Sequence, residues 1–321
     1  MRVICRNVDG SFYYKNSRLD YYSFLAYNRY VQKQGKDSAM LQVLRKMFLV
    51  FVILAVSLFP VGRGVKIPEG TEGFSWEKNP VIAHALGGLD ETYLNSREGF
   101  LNMYQKGVRL FEVDLCQTSD QVWVCRHSWN DPMGQWEGNK ARRLSVEEFK
   151  SAPVYGRYTP LTLEDLFVLL KEHPDAYVML DSKQYSLRSY QRTLEDYSSY
   201  VELARETGTE EVLDQLIPEI YNDAMFAGTA MLYSFSSYIY SLWQEYSREE
   251  LKHIAEFCKE HKIPAVTMYR DYWSEEGQQI FSRLGIHVYV YTVNDREEAR
   301  NYMEKGAAGV CTDFLTDEDL W

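Results

Sequence analysis

From about residue 78 onward, short runs rich in Val, Ile and Tyr alternate with longer amphipathic stretches, and this alternation constrains the fold more than any other sequence feature. The short runs predict strands that begin at Val81, Phe111, Val122, Tyr177, Pro218, Ala230, Ala265, His287 and Gly309. The amphipathic stretches predict helices, most clearly at Ser96–Lys106, Thr162–Lys171, Ser247–His261 and Asp295–Lys305. Alternating strands and helices are typical of parallel β-α units.

The run at Val122 follows the preceding strand after a tight turn at residues 119–121. Because a parallel crossover needs a dozen or more residues, this run predicts a hairpin. The other eight strands occupy about 240 residues, which is the usual size of a (β/α)8 barrel. We therefore expect an α/β protein in which residues 78–321 form a TIM-type barrel. Glu219 lies on one of these strands, where we expect a structural role.

Residues 47–62 are strongly apolar and carry no charge. A membrane-spanning helix needs at least ~17 such residues, so the run is slightly short. Three interpretations stay open, namely a signal anchor, a cleaved signal peptide and a buried core helix. We favour a transmembrane signal anchor, because basic residues cluster before it and positive charge favours the cytoplasmic side. This predicts a cytoplasmic arm at residues 1–46, a linker at 63–77 and a single-pass protein with an extracytoplasmic catalytic domain.

The net charge of −11 argues against nucleic acid as a partner, because phosphate backbones are bound by clustered Lys and Arg. A small phosphate substrate is still compatible with this charge, since a bound metal ion supplies local positive charge. The cysteines contain no CxxC pair, which gives a zinc site no support. Cys116 and Cys125 could form a disulfide across the hairpin or stay two buried thiols. The sequence gives no indication of the oligomeric state.

The polar residues at the predicted strand ends are of one chemical kind. Glu112 and Asp114 lie two apart on one strand, so both side chains face the same way. Asp181 and Lys183 have the same spacing at the end of a later strand. Function in such barrels lies at the carboxyl ends of the strands. Three carboxylates that converge there make a hard oxygen site suited to Ca²⁺ or Mg²⁺.

Two histidines complete this set. His84 ends the first predicted strand and His127 follows the hairpin strand. A turn centred on Asp120 and Gln121 would place His127 opposite Asp114. Two histidines beside a metal ion can act as general acid and general base. Each could instead be a satisfied core histidine.

Several motifs within residues 80–314 resemble, in order, those of the glycerophosphodiester phosphodiesterases, a family of the PLC-like phosphodiesterase superfamily. They are Ile82-Ala-His84 with Gly87; Asn95-Ser96-Arg-Glu-Gly-Phe100; Phe111-Glu112-Val-Asp114-Leu; Thr118-Ser-Asp120; Val124-Cys-Arg-His127; Leu161-Thr-Leu-Glu-Asp-Leu; Met179-Leu-Asp181-Ser-Lys183; Val290-Tyr-Thr-Val-Asn294; and Gly309-Val-Cys-Thr312-Asp313.

The resemblance implies a metal-dependent phosphodiester hydrolase with His84 and His127 as its acid–base pair. It implies Glu112, Asp114 and Asp181 as metal ligands, although the family usually has Glu at the third position. Lys183 would contact phosphate, and Asn95 and Tyr291 are further candidates for binding the substrate.

The substrate implied is a glycerophosphodiester, hydrolysed to glycerol 3-phosphate and an alcohol, or a lysophospholipid. The Asp181-Ser-Lys183 pattern is also similar to the sphingomyelinase D and lysophospholipase D branch of the same superfamily. A further interpretation is a barrel that has lost catalysis and binds lipid headgroups. It rests on Ala85 and Leu86, which replace an Arg that the family usually has at the first strand end.

Overall fold

The computed structural model describes residues 2–6, 12–16, 74–130, 142–183 and 190–321. The chain divides into two compact units, residues 1–65 and 66–321. In the first, β1 (Arg2–Arg6) and β2 (Phe12–Asn16) pair antiparallel. The predicted membrane anchor at residues 47–62 lies outside the described residues. Within the described ranges, no helix combines the length and apolarity needed to cross a membrane.

Eight parallel strands close into a barrel in the second unit, which confirms the predicted TIM-type architecture. The strands are β3 (Val81–Ala83), β4 (Leu110–Gln117), β6 (Tyr177–Ser182), β7 (Leu216–Ile220), β8 (Ile239–Leu242), β9 (Ala265–Tyr269), β10 (His287–Tyr291) and β11 (Gly309–Thr312). The first strand, β3, pairs with both β4 and β11, and this pairing closes the sheet. The additional strand β5 (Trp123–Cys125) pairs antiparallel with β4, as the predicted hairpin requires.

Helices follow most of the strands. Those in the described ranges are α1 (Arg97–Gln105), α2 (Val146–Lys150), α3 (Leu163–Lys171), α4 (Tyr190–Glu206), α5 (Asp223–Ala230), α6 (Arg248–Glu260), α7 (Glu275–Ser282) and α8 (Arg296–Glu304). The four clearest predicted helices correspond to α1, α3, α6 and α8. Capping boxes begin α3 at Thr162 and α6 at Ser247, because each hydroxyl accepts from a backbone N–H three residues on.

The strand predicted at Ala230 is wrong. Asn222 caps α5 by accepting a hydrogen bond from the Met225 backbone N–H, and the helix continues to Ala230. The strand that follows α5 is instead β8, which begins at Ile239. Both segments are short apolar runs, and such runs cannot be assigned to helix or strand by periodicity alone.

The hairpin register is one residue off the predicted one. Leu115 lies opposite Cys125, and the Arg126 backbone N–H donates to the Asp114 carbonyl at 2.8 Å. Asp114 therefore faces Arg126 and not His127. Cys116 lies opposite Val124, so Cys116 and Cys125 point to opposite faces of the hairpin. Of the two alternatives for this pair, the two buried thiols are the correct one, and no disulfide joins Cys116 to Cys125.

The inward side chains form two layers, since alternate residues of a strand face the same side. The lower layer, which we name the floor, is apolar on every strand. It consists of Ile82, Leu110, Met179, Ile217, Ile239, Ala265, Tyr289 and Cys311, closed from below by Trp76. Trp76 belongs to the predicted linker, yet it is buried against this floor and donates its indole N–H to Ser237.

Two residues further along each strand stands a second layer, which we name the polar ring. Its members are His84, Glu112, Asp181, Glu219, Ser241, Thr267, Tyr291 and Asp313. The outward residues of the same strands, such as Val113 and Leu180, pack in the large core cluster together with helix residues such as Leu166 and Phe167. The barrel therefore has an apolar exterior and floor, and its polar side chains gather at the carboxyl ends of the strands.

Candidate active site

Three carboxylates of the polar ring converge on one point. Glu112 on β4, Asp181 on β6 and Glu219 on β7 each offer an oxygen, and these oxygens lie within 4.8 Å of one another. All three side chains are buried. Burial, with Asp114 and other acids nearby, raises the pKa of Glu112 well above its usual range. Burial and Asp181 likewise raise the pKa of Glu219 to about 8. The cluster thus favours a bound cation or proton over three bare charges.

One oxygen of this cluster lacks a partner. Asp181 Oδ2 accepts a short hydrogen bond from Lys183, whereas Oδ1 is buried and has no hydrogen-bond partner among the described residues. A buried oxygen without a partner is costly in a native structure. An additional donor or a cation in the cluster would remove that cost. Three converging carboxylates with one open oxygen fit a hard divalent cation such as Ca²⁺ or Mg²⁺.

Asp114 lies one step further along β4 than Glu112 and has different partners. Its Oδ1 forms an ion pair with Lys183 Nζ at 2.9 Å, and its Oδ2 accepts from the Asn95 amide at 2.8 Å. The Asp114 backbone N–H donates to Asn95 Oδ1. Burial opposes the charged form of Asp114, but Lys183 and the two histidines outweigh it and lower its pKa to about 2. Lys183 thus bridges two of the three predicted ligands, Asp114 and Asp181.

His84 is held by a residue of the neighbouring strand, β11. Its Nδ1 lies 2.9 Å from Asp313 Oδ1, at the end of β11. Asn294 donates to the other oxygen of Asp313 at 2.7 Å, and accepts from the Asp313 backbone N–H. The carboxylate is therefore oriented before it meets the imidazole. Such a carboxylate partner on Nδ1 orients an imidazole so that Nε2 faces the site.

His127 follows β5 by two residues, and Tyr93 lies between it and His84. The Tyr93 ring centroid is 4.7 Å from that of His84 and 4.9 Å from that of His127. Burial and the nearby carboxylates raise the pKa of Tyr93 to about 12. The Tyr93 hydroxyl therefore stays protonated near neutral pH.

Hydroxyl groups continue the polar ring on the remaining strands. Thr267 donates to Ser241 Oγ at 3.2 Å, and the Ser241 side chain lies beside those of Glu219 and Tyr291. Burial and the charge of Glu219 raise the pKa of the Tyr291 phenol. Tyr291 thus faces the carboxylate cluster, as expected for a residue that lines the site.

The structure brings all eight sequence-predicted site residues to one end of the barrel: His84, Asn95, Glu112, Asp114, His127, Asp181, Lys183 and Tyr291. Sequence reasoning missed three further residues. Glu219 was expected to be structural, and Asp313 and Tyr93 had no expected role. The floor spacing could have revealed Glu219 and Asp313, because each lies two residues after a floor residue. Nothing in the sequence marks Tyr93, whose place depends on the path of a loop.

Comparisons with known proteins bear on the family and the fold of the chain. The model of the glycerophosphoryl diester phosphodiesterase family matches residues 88–317. No curated protein matches significantly. Among solved structures, the chain is similar to a glycerophosphodiester phosphodiesterase of Parabacteroides distasonis, with 17% identity, a TM-score of 0.58, and coverage of 75% of this chain and 94% of that one.

A second similar structure is an Oleispira antarctica phosphodiesterase in complex with the product sn-glycerol-3-phosphate, at 16% identity and a TM-score of 0.59, covering 73% of this chain and 92% of that one. A third, from Thermotoga maritima, is a glycerophosphodiester phosphodiesterase with 20% identity, a TM-score of 0.52, and coverage of 73% and 94%. At these identities the structural likeness establishes the fold.

Proposed function

Since the chain belongs to the glycerophosphoryl diester phosphodiesterase family, we propose that it hydrolyses a glycerophosphodiester to glycerol 3-phosphate and an alcohol. The observation that carries this proposal is the carboxylate cluster of Glu112, Asp181 and Glu219, which lies in the same polar ring as His84. A cation site beside an oriented imidazole is what phosphodiester hydrolysis requires.

We propose that this cluster holds one divalent cation, Ca²⁺ or Mg²⁺. A cation bound there would draw charge from a phosphoryl oxygen and stabilise the charge of the transition state. The side chain of Asp181 is one methylene shorter than the Glu that the family usually has. Glu219 on the neighbouring strand adds a carboxylate that compensates for this. Asp114 stays a candidate ligand, although in this structure it pairs with Lys183 and Asn95.

The two histidines supply proton transfer in this proposal. His84 is the general base, because Asp313 orients its ring and stabilises the imidazolium that forms. His84 Nε2 takes the proton from the attacking hydroxyl. When that hydroxyl belongs to water, glycerol 3-phosphate forms directly; when it belongs to the substrate's own glycerol, a cyclic phosphate forms first and water opens it in a second step. His127 donates a proton to the oxygen of the leaving alcohol as its bond to phosphorus breaks. Lys183 contacts the phosphoryl group as a second positive charge.

The test uses the full chain, stripped of metal and then supplied with Ca²⁺ or Mg²⁺. Substrates are glycerophosphocholine, glycerophosphoethanolamine, lysophosphatidylcholine and bis-p-nitrophenyl phosphate. We expect metal-dependent turnover of the glycerophosphodiesters that is lost in Glu112→Gln. A preference for lysophosphatidylcholine would favour the lipid-specific branch. A folded, cation-binding protein that turns over none of them would favour a binding barrel.

The ligand assignment is tested without turnover. Thermal unfolding of Glu219→Gln and Asp114→Asn is followed during cation titration. If Glu219 is a ligand, added cation should raise the melting temperature of Asp114→Asn but leave Glu219→Gln nearly unchanged. The reverse pattern would return the third ligand position to Asp114.

We further propose, from the sequence alone, that residues 47–62 anchor the chain in a membrane with the barrel outside the cytoplasm. Extraction of membranes at high pH and protease protection of the barrel would test the anchor and its orientation. Release of the chain at high pH would contradict it.

A further inference from the structure

Tyr93 has a position that neither the family resemblance nor the proposed chemistry explains. Its ring touches both imidazoles of the proposed acid–base pair, edge-on to His84 with an interplanar angle of 77° and tilted by 57° against His127. The two histidines come from different parts of the fold, one after β3 and the other after β5. The Tyr93 side chain therefore contacts both imidazole rings.

The backbone at Tyr93 is strained. Tyr93 has a φ of 54°, in the left-handed region that non-glycine residues rarely adopt. Such strain persists only where the surrounding structure imposes it, and it gathers at functional sites. Leucine or alanine would meet the same strain, so the backbone alone gives no reason for a tyrosine.

The loop that carries Tyr93 is fixed on both sides. After it, the buried Asn95 donates its backbone N–H to the Ala85 carbonyl at 2.8 Å and binds Asp114 through both side-chain atoms. Before it, the Gly88 backbone N–H donates to the Asp313 carbonyl at 2.6 Å, and Asp90 pairs with Arg157 at 2.6 Å. Two of these anchors, Asn95 and Asp313, also hold the site residues Asp114 and His84. The backbone on both sides of Tyr93 is therefore tied to the site, while the Tyr93 side chain is 37% exposed.

We propose that Tyr93 is a positioning residue that sets the spacing and orientation of His84 and His127 through its aromatic ring. An acid and a base that serve the two ends of a reacting P–O axis must each reach their own oxygen. An ordered ring between them keeps the imidazoles apart and restricts their rotation. Only the kinetic test of this inference depends on the proposed function.

The test compares Tyr93→Phe, which keeps the ring, with Tyr93→Gly, which removes it. Glycine adopts a φ near 54° without strain, so Tyr93→Gly should fold. Tyr155→Gly is the matched control, because Tyr155 is also a tyrosine with a left-handed φ of 50° and packs with Leu94 and Val154.

Two measurements are made on the full-length variants. The first is kcat and KM on the best glycerophosphodiester. A misplaced acid–base pair should lower kcat on the order of 10²-fold in Tyr93→Gly, with a much smaller change in KM. Tyr93→Phe and Tyr155→Gly should stay within a few-fold of the parent. Loss of activity in Tyr93→Phe equal to that in Tyr93→Gly would overturn the proposal, since the hydroxyl would then be responsible.

The second measurement needs no turnover. Imidazole nitrogen resonances of the six histidines are recorded by NMR, and those of His84 and His127 are assigned by single substitutions. Both should shift in Tyr93→Gly, whereas the other four should not. Unmoved resonances of His84 and His127 would overturn the proposal even in an active enzyme. If the parent turns over no substrate, the proposed function fails while this arm still decides the role of Tyr93.

Discussion

Asp196 offers a quantitative test of how the end of β6 is held. This side chain on α4 is 6% exposed, and it accepts a hydrogen bond from Ser182 Oγ at 3.0 Å. Ser182 lies between Asp181 and Lys183, so the contact joins α4 to the strand that carries both site residues. Burial raises the pKa of Asp196 from 3.8 to about 6, against the opposing effects of Ser182 and Arg192.

The size of the effect follows from this pKa. A folded-state pKa above the unfolded one means that the protonated acid is the form favoured in the folded protein. The stability that protonated Asp196 contributes is complete below pH 3.8 and is lost as the pH rises to about 6. The shift is about two pKa units, and each unit corresponds to about 1.4 kcal/mol, so the loss is about 3 kcal/mol. Asp196→Asn, which stays neutral, should avoid that loss.

The prediction is tested by measuring the free energy of unfolding in urea at intervals from pH 4 to pH 8. The free energy of unfolding of Asp196→Asn should match the parent near pH 4 and exceed it by about 3 kcal/mol at pH 8. Asp175→Asn is a control of opposite sign. Asp175 accepts hydrogen bonds from Tyr104 and Arg109, its pKa is lowered despite partial burial, and its replacement should reduce stability at neutral pH. A difference for Asp196→Asn that is constant across the pH range would refute the reasoning.

Three further predictions follow from the packing and charges of the site. Gly99→Ala should destabilise the protein by about 1–3 kcal/mol in urea unfolding, because the new Cβ would lie 2.4 Å from the Gly87 carbonyl oxygen; a gain in stability, as helix propensity alone predicts, would contradict the close approach. Cys116 and Cys125 should both react with a thiol reagent in denaturant without prior reduction, and a mass increase on reduction would contradict the free thiols. Lys183→Met should lower the stability of the metal-free protein by about 3–5 kcal/mol in urea unfolding, because the buried carboxylates of Asp114 and Asp181 lose their cationic partner. Added Ca²⁺ or Mg²⁺ should restore part of the lost stability. Equal stability with and without Lys183 would contradict the prediction.

The barrel could be predicted because its signals are local and repeated. Each of the predicted helices α3 and α6 begins at a capping box, and the strand runs return at regular intervals. Misassignment occurred where two short apolar runs compete, as at Ala230 and Ile239. Only the Asn222 cap distinguishes them, and its effect depends on tertiary packing around α5.

The site was predicted less completely for a different reason. The residue types at strand ends and their spacing of two indicate the chemistry, and this found Glu112 and Asp181. The spacing alone does not say which carboxylates share one point. That depends on the stagger between strands, which places Glu219 level with Glu112 and sets Asp114 one step beyond. A one-residue error in the predicted hairpin register had a similar effect. It placed His127 opposite Asp114 and Cys116 opposite Cys125, whereas in the observed register neither pair is opposite.

The separation of floor and polar ring has a consequence for how such a protein can change over evolution or by design. The floor contributes apolar packing on all eight strands, while the polar and charged side chains of the ring lie two residues further along each strand. A substitution in the ring therefore alters reactivity with little effect on the packing beneath. Ser241 and Thr267 occupy ring positions on strands that carry no charge at this level. Thr267 is hydrogen-bonded to Ser241, which lies beside Glu219. An acid or histidine at either position would therefore add one more potential cation ligand beside the carboxylate cluster by a single substitution.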